Sequence, residues 1–359
     1  MGPRAKVIRM EKVQWNNDEL VDKILLKKQE LGNQLIILTH HYQRKEIVAL
    51  GDFVGDSFEL SRKAAADRQC RHIVFCGVHF MAESAAILSQ PHQIVQIPEE
   101  EAGCWMAEMA DTPLVEPAFE QLESLAGKGA IVPIVYMNSD AELKAFCGTH
   151  GGIVCTSSNA DKALKWAFEK AEKVLFFPDR HLGHNTGYAL GLTAEQMAVW
   201  SPHKPFGGNE PEALRRARLI LWDGYCLVHT RFTCEQIENS RARHPGAKVI
   251  VHPECPRELV AMADASGSTS RIEKYVKDAP AGSTIIIGTE INFIERLASE
   301  YPDKQVVELH RSLCPNMFKI NLANLLDTLE NLGEKNVVRV AEDIKAEAKV
   351  ALDRMLALA

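Results

Sequence analysis

The sequence predicts an α/β protein: three similar three-layer α/β/α domains, each with a small parallel sheet, in a pseudo-threefold arrangement around a central active site. Three observations predict it. Strand-length apolar runs alternate with helix-like segments, which favours parallel sheets covered on both faces. The order of first strand, hydroxyl turn, second strand and closing run recurs three times. Each recurrence ends on a cysteine: Cys104, Cys226 and Cys314.

The first strands are the apolar parts of Gln34–Tyr42, Ile131–Asn138 and Val249–Glu254, each ending in ring-bearing, amide or carboxylate side chains. The turns are Gly55-Asp56-Ser57, Thr156-Ser157-Ser158 and Gly267-Ser268-Thr269. The second strands lie in His72–Phe80, Lys173–His181 and Ser283–Phe293, and the closing runs in Gln93–Cys104, Ala217–Cys226 and Lys304–Cys314. So long a period in so few copies excludes a solenoid and points to triplication.

In chain order, residues 16–32 read as an amphipathic helix stopped at Gly32. Strand 34–39, helix 57–68, strand 72–77, helix 80–89 and strand 93–97 complete the first unit. The second has helical segments around 105–128, strand 131–136, helix 139–147, strand 152–155, helix 158–171 and strands 173–177 and 217–222. Between those last two strands, residues 181–216 carry Pro202, Pro205, Gly207, Gly208 and Pro211, and read as an insertion with a short helix near 193–200 and a flexible tip. The third unit has helix 233–243, strand 249–251 broken by Pro253, a helical segment 256–264 and the two runs ending at Cys314. Helices 317–332 and 337–357 follow, the last with one apolar face that reads as a cover for unit one. The units are therefore 1–103, with helices 315–359 packed on it, then 104–225 and 226–314.

Over 359 residues, 46% hydrophobic and 25% charged side chains describe an ordinary globular chain. The net charge of −7, with no basic stripe, argues against nucleic acid. No apolar run is long enough for a membrane span, and Met1–Lys12 has no apolar signal-peptide core, so a cytoplasmic location is expected. Among nine cysteines there is no CxxC pair, so a metal site must gather ligands distant in sequence.

Cys104, Cys226 and Cys314 hold one equivalent position per unit, and threefold symmetry brings them to an axis. Three thiolates suit a tetrahedral metal or a cubane cluster with one corner open, and three rather than four ligands favour catalysis over structure; zinc is the simple competitor. Cys70, Cys147 and Cys234 read as core residues, while Cys76, Cys155 and Cys255 are unmatched in the other units, with any redox role open. His40 and His252 occupy matched strand ends and read as shared ligand contacts. Ser57, Ser157, Ser268 and Thr269 are either helix caps or the lining of an anion pocket. Glu254 is a candidate general base, Tyr42 and Tyr136 are donors or walls, and His229 stands near the metal. Asp179-Arg180 could be a simple ion pair.

These residues resemble the quinolinate synthase family from about Gln34 to Glu330. The matches include HHYQ (His40–Gln43), VGDSFELSR (Val54–Arg62), GVHFMAES (Gly77–Ser84), GCWMAEM (Gly103–Met109) and VYMNSDAELKA (Val135–Ala145). They continue through CTSSNA (Cys155–Ala160), PDRHLG (Pro178–Gly183), VHPECP (Val251–Pro256), GSTS (Gly267–Ser270), IGTEINFI (Ile287–Ile294) and CPNM (Cys314–Met317). The resemblance implies three α/β/α domains around a 4Fe–4S cluster held by Cys104, Cys226 and Cys314. It implies condensation of iminoaspartate with dihydroxyacetone phosphate to quinolinate, a precursor of NAD, with loss of phosphate and water. By position, His40, Ser57, Tyr136, Asn138, Ser157, His252, Ser268 and Thr269 would contact substrate, Glu254 and Tyr42 would move protons, and His229 would stand beside the cluster. A transient contact with the enzyme supplying iminoaspartate is a further implied partner. Two rivals remain at this stage: a zinc-dependent lyase or aldolase, and a non-catalytic cluster carrier or metabolite sensor.

Overall fold

The computed structural model describes residues 16–358, so Met1–Lys12 lies outside the described residues. The first sheet contains β1 (Leu35–His40), β2 (Phe53–Gly55), β3 (His72–Cys76) and β4 (Ile94–Gln96), with helices α1 (Asn17–Leu31), α2 (Lys45–Val48), α3 (Ser57–Ala66) and α4 (His79–Leu88). The second contains β5 (Ile131–Tyr136), β6 (Ile153–Cys155), β7 (Lys173–Phe177), β8 (Met197–Trp200) and β9 (Leu219–Trp222). Its helices are α5 (Thr112–Ala126), α6 (Ala141–Thr149), α7 (Ala160–Phe168), α8 (Arg180–Ala189) and α9 (Pro211–Arg216). The third contains β10 (Lys248–Val251), β11 (Ala265–Ser266), β12 (Thr284–Gly288) and β13 (Gln305–Glu308), with α10 (Cys234–Arg243), α11 (Arg257–Met262), α12 (Thr269–Asp278) and α13 (Ile291–Glu300). Helices α14 (Leu322–Glu330) and α15 (Glu342–Ala357) follow.

The strand orders are β2-β1-β3-β4, β6-β5-β7-β9-β8 and β11-β10-β12-β13, all parallel. Each sheet thus repeats one plan: a short edge strand, the first strand, the second strand, the closing strand. The first strands are apolar along their length because both faces are covered; all six residues of β1 and of β5 are buried. The short edges β2 and β11 lie just before the hydroxyl turns, where the sequence reading placed no strand.

Residues 181–216 are not an insertion with a flexible tip. They form α8, the fifth strand β8 paired in parallel with β9, and α9. Gly183 and Gly187 let α8 approach the sheet closely: a Cβ at either position would meet Leu221 or Leu219 side chains. The strand MAVW is too short to stand out against its polar flanks.

One continuous apolar core joins the first two sheets with α14 and α15. The third sheet carries its own core on each face, Val249, Val251 and Ile286 on one side and Ile250, Ile285 and Ile287 on the other. After α14, which packs against α1, Val337 bridges to Gln96 and Val338 donates to the Val95 carbonyl, so this part of the tail lies on the first sheet. Helix α15 departs from the expected cover of unit one. It lies mainly against α6 and β6 of the second sheet, with a smaller contact to α4, and Arg354 donates to the Gly152 carbonyl at 2.6 Å. No helix among the described residues is long and apolar enough to cross a membrane.

Candidate active site

The C-terminal strand ends of all three sheets open onto one cavity, as expected for parallel α/β sheets. Cys104, Cys226 and Cys314 line it together, each half-buried. Each cysteine stands seven residues before a helix N-cap: Asp111 for α5, Thr233 for α10 and Asn321 for α14, each cap accepting a backbone N–H. Short 3-10 turns, Ala107–Met109 and Met317–Lys319, follow Cys104 and Cys314. They turn the N–H groups of Met106 and Ala107 toward one sulfur, and those of Asn316 and Met317 toward the other.

Burial pushes all three thiols up, Cys104 to about 12, and the approach of the other sulfurs raises Cys104 and Cys226 further. Three such thiolates need a cationic centre among them. Backbone N–H donors aimed at two of the sulfurs favour that ionised, metal-bound form. Among the described residues, the trio with ligand atoms all within 4.8 Å is Cys226, His229 and Glu254, not the three cysteines.

A hydrogen-bonded chain runs beside the thiols and crosses all three units. Tyr136 donates to Glu254 Oε1 at 2.5 Å, and His229 Nδ1 lies 2.7 Å from Glu254 Oε2. His229 Nε2 lies 3.1 Å from Thr289 Oγ1, which lies 2.7 Å from the Tyr42 hydroxyl. One assignment satisfies every link: Tyr42 donates to Thr289, Thr289 to His229 Nε2, and His229 Nδ1–H to Glu254. Burial alone would raise Glu254, but His252, His229 and the hydrogen bonds from His229 and Tyr136 hold it down to about 2. Burial, then the Glu254 charge, raises Tyr42 and Tyr136 well above the usual phenol range, so both stay protonated donors.

His40 and His252 are matched in detail. Each ring's Nδ1 accepts the backbone N–H two residues on, from Tyr42 at 3.2 Å and from Glu254 at 3.4 Å. The neutral rings therefore carry their proton on Nε2 as a donor. Burial lowers His40 to about 4 and His252 to about 3, so both are neutral near pH 7. The His252 ring stacks on His229, with centroids 4.3 Å apart.

Ser57, Ser157 and Thr269 line the cavity, as do Tyr136 and Asn138. Ser268 does not belong with them: it is the N-cap of α12, its hydroxyl accepting from Arg271 N, and the cavity-lining hydroxyl is Thr269, one residue on. Asp56 holds the same capping place on α3, one residue before Ser57. Asp179 caps α8 through Leu182 N at 2.6 Å, while Arg180 pairs with Asp223 at 2.5 Å rather than with Asp179.

Residues 22–357 match the family model for quinolinate synthetase A protein. The chain belongs to the quinolinate synthase family. It is 50% identical to quinolinate synthase of Corynebacterium glutamicum over 362 residues, covering 99% of this chain and 92% of that protein. Its identity to the enzyme of Streptomyces coelicolor is 48% (96% of this chain, 89% of that protein). To that of Rhodopirellula baltica it is 46% (95% and 91%). In this quinolinate synthase family member, sequence reasoning missed Thr289, the link between Tyr42 and His229, and Asp56, which also faces the cavity. The GTEIN segment read only as the end of a strand, and nothing local distinguishes its threonine.

Proposed function

We propose that this chain condenses iminoaspartate with dihydroxyacetone phosphate to form quinolinate, releasing phosphate and water, in de novo NAD biosynthesis. The observation that carries the reading is the continuous chain Tyr136–Glu254–His229–Thr289–Tyr42, built from all three units beside three convergent thiols, in a member of this family. The donor set fits a 4Fe–4S cluster held by Cys104, Cys226 and Cys314. When bound, such a cluster leaves one iron without a protein ligand and supplies Lewis acidity toward a substrate oxygen.

This chain's own residues supply the rest. The Nε2–H groups of His40 and His252, the hydroxyls of Ser57, Ser157 and Thr269 and the Asn138 amide are donors for carboxylate and phosphate oxygens, without a cluster of lysines. Glu254, ionised and sheltered, takes a proton from carbon or nitrogen as the enamine forms and isomerises; His229 and Tyr136 hold its carboxylate in place. The protonated Glu254 then gives that proton back to the substrate, while Tyr42, through Thr289, holds the His229 ring with its Nδ1–H toward Glu254. An enclosed cavity also protects a labile imine from hydrolysis. It would favour delivery of iminoaspartate by transient contact with the enzyme that makes it, in the cytoplasm and without nucleic acid or membrane.

A second reading has its own support, because Cys226, His229 and Glu254 place ligand atoms within 4.8 Å of one another, as a mononuclear zinc lyase would need. The His229 ring and the Glu254 carboxylate are already engaged with each other, with Thr289 and with Tyr136, which favours proton handling over metal ligation. Anaerobic assay with dihydroxyacetone phosphate and freshly generated iminoaspartate separates the readings. Wild type is expected to form quinolinate, Cys226→Ala to form none, and Glu254→Gln to lose about a hundredfold or more while staying brown. Full activity in Glu254→Gln, or colourless protein with one zinc, contradicts the proposal.

A further inference from the structure

Asp56 is a buried carboxylate, 5% exposed, and no lysine, arginine or histidine forms an ion pair with it among the described residues. Its two oxygens do different work. Oδ1 caps α3, accepting from Phe58 N at 3.0 Å and Glu59 N at 2.9 Å. Oδ2 accepts from Ser158 Oγ at 2.5 Å, on the hydroxyl turn of the second unit, and from Ser270 Oγ at 3.0 Å, at the start of α12 in the third. Glu59 Oε2 lies 2.9 Å from the same Ser270 Oγ, so the single hydroxyl proton is shared between two carboxylates of the first unit.

A serine, threonine or asparagine would cap α3 nearly as well. Burying a carboxylate instead costs several kcal/mol unless hydrogen bonds replace its water. Here the replacement bonds at Oδ2 all come from the two other units. The residues involved are also the immediate neighbours of the cavity hydroxyls: Asp56 precedes Ser57, Ser158 follows Ser157, and Ser270 follows Thr269. A single carboxylate oxygen therefore sets the spacing of three hydroxyl turns that no covalent or sheet connection ties together.

We propose that Asp56 is a positioning residue, which with Ser158 and Ser270 latches the three units so that Ser57, Ser157 and Thr269 form one preformed cradle for the phosphate of the substrate. This deepens the reaction proposed above and rests on it. The Asp56 charge would repel a bound anion at close range, so its part is to hold the donors rather than to touch the phosphate. Pre-placed donors spare the ligand the cost of ordering them, so losing the latch weakens binding more than it slows turnover.

The test uses the cluster-loaded protein and two variants. Asp56→Ser keeps an N-cap acceptor but is too short to reach the other units; Ser158→Ala/Ser270→Ala leaves the cap of α3 untouched. Amide hydrogen exchange without substrate is expected to speed up about tenfold or more at residues 156–160 and 268–272 in both variants. In the double variant KM for dihydroxyacetone phosphate should rise about tenfold with kcat within about threefold, and Ser158→Thr/Ser270→Thr should restore it. Unchanged exchange at both turns, an unchanged KM in the active double variant, or failure of the threonine pair to rescue would each overturn the latch. Should wild type form no quinolinate, the reaction reading fails, and the exchange measurement alone decides the latch.

Discussion

His40 shows how a buried position sets the protonation state of a side chain lining the cavity. Burial holds the ring at about 4, partly offset by Asp56 and Glu254, against 6.5 for a free imidazole. Between those values the unfolded chain binds the proton and the folded one does not. The neutral ring's full contribution is therefore present above pH 6.5 and is lost as the pH falls toward 4. The loss is on the order of 3 kcal/mol for one such group. Thermal melts from pH 7 to 4 should show wild type losing stability across this window, with a shallower fall in His40→Gln; parallel curves would contradict this. The residues whose place at the cavity was legible in sequence, His40, His252 and Glu254, stand at or just after strand ends, where position alone points them to the cavity. Thr289 and Asp56 were not legible, because an isolated threonine or a cap aspartate becomes informative only through partners brought in from other units. For Ser268 and Thr269 the sequence left cap and pocket lining open: in this Ser-Thr pair opening a helix, the first hydroxyl caps and the next residue lines the cavity.

At the scale of elements, the meeting of α15 with α6 is the sharpest test of packing. Gly148 lies within α6, and a Cβ there would run into the backbone carbonyl of Glu347 on α15. Helix propensity favours alanine over glycine by about 1 kcal/mol. The collision costs more, about 1–3 kcal/mol net, because backbone cannot swing aside as a side chain can. Gly148→Ala is therefore expected to lower Tm measurably, and a raised Tm would show that the helices do not meet this way. The apolar stripe of α15 was legible in sequence, but its partner was not, because an amphipathic face carries no address. Likewise, β8 was hidden in 181–216, where four strand residues lie among prolines and glycines. Strand pairing with β9, not local pattern, decides its state.

At the scale of the whole molecule, the triplication is written in three registers at once: a shared strand order, a hydroxyl turn after each edge strand, and a cysteine seven residues before each of three helix caps. The last was present in the sequence as Asp111, Thr233 and Asn321, yet a cap is recognisable only once its helix is known. The copies have not stayed equal, since the first two sheets share one core and the third keeps its own. What they still share is the cavity, and its three thiols carry the account. The direct measurement is iron and acid-labile sulfide per chain in anaerobically purified wild type and in Cys104→Ala, Cys226→Ala and Cys314→Ala. About four of each in wild type, falling to near zero in every variant, is the predicted result. Colourless wild type, or variants that keep their full iron, would contradict a single cluster held by three repeated units.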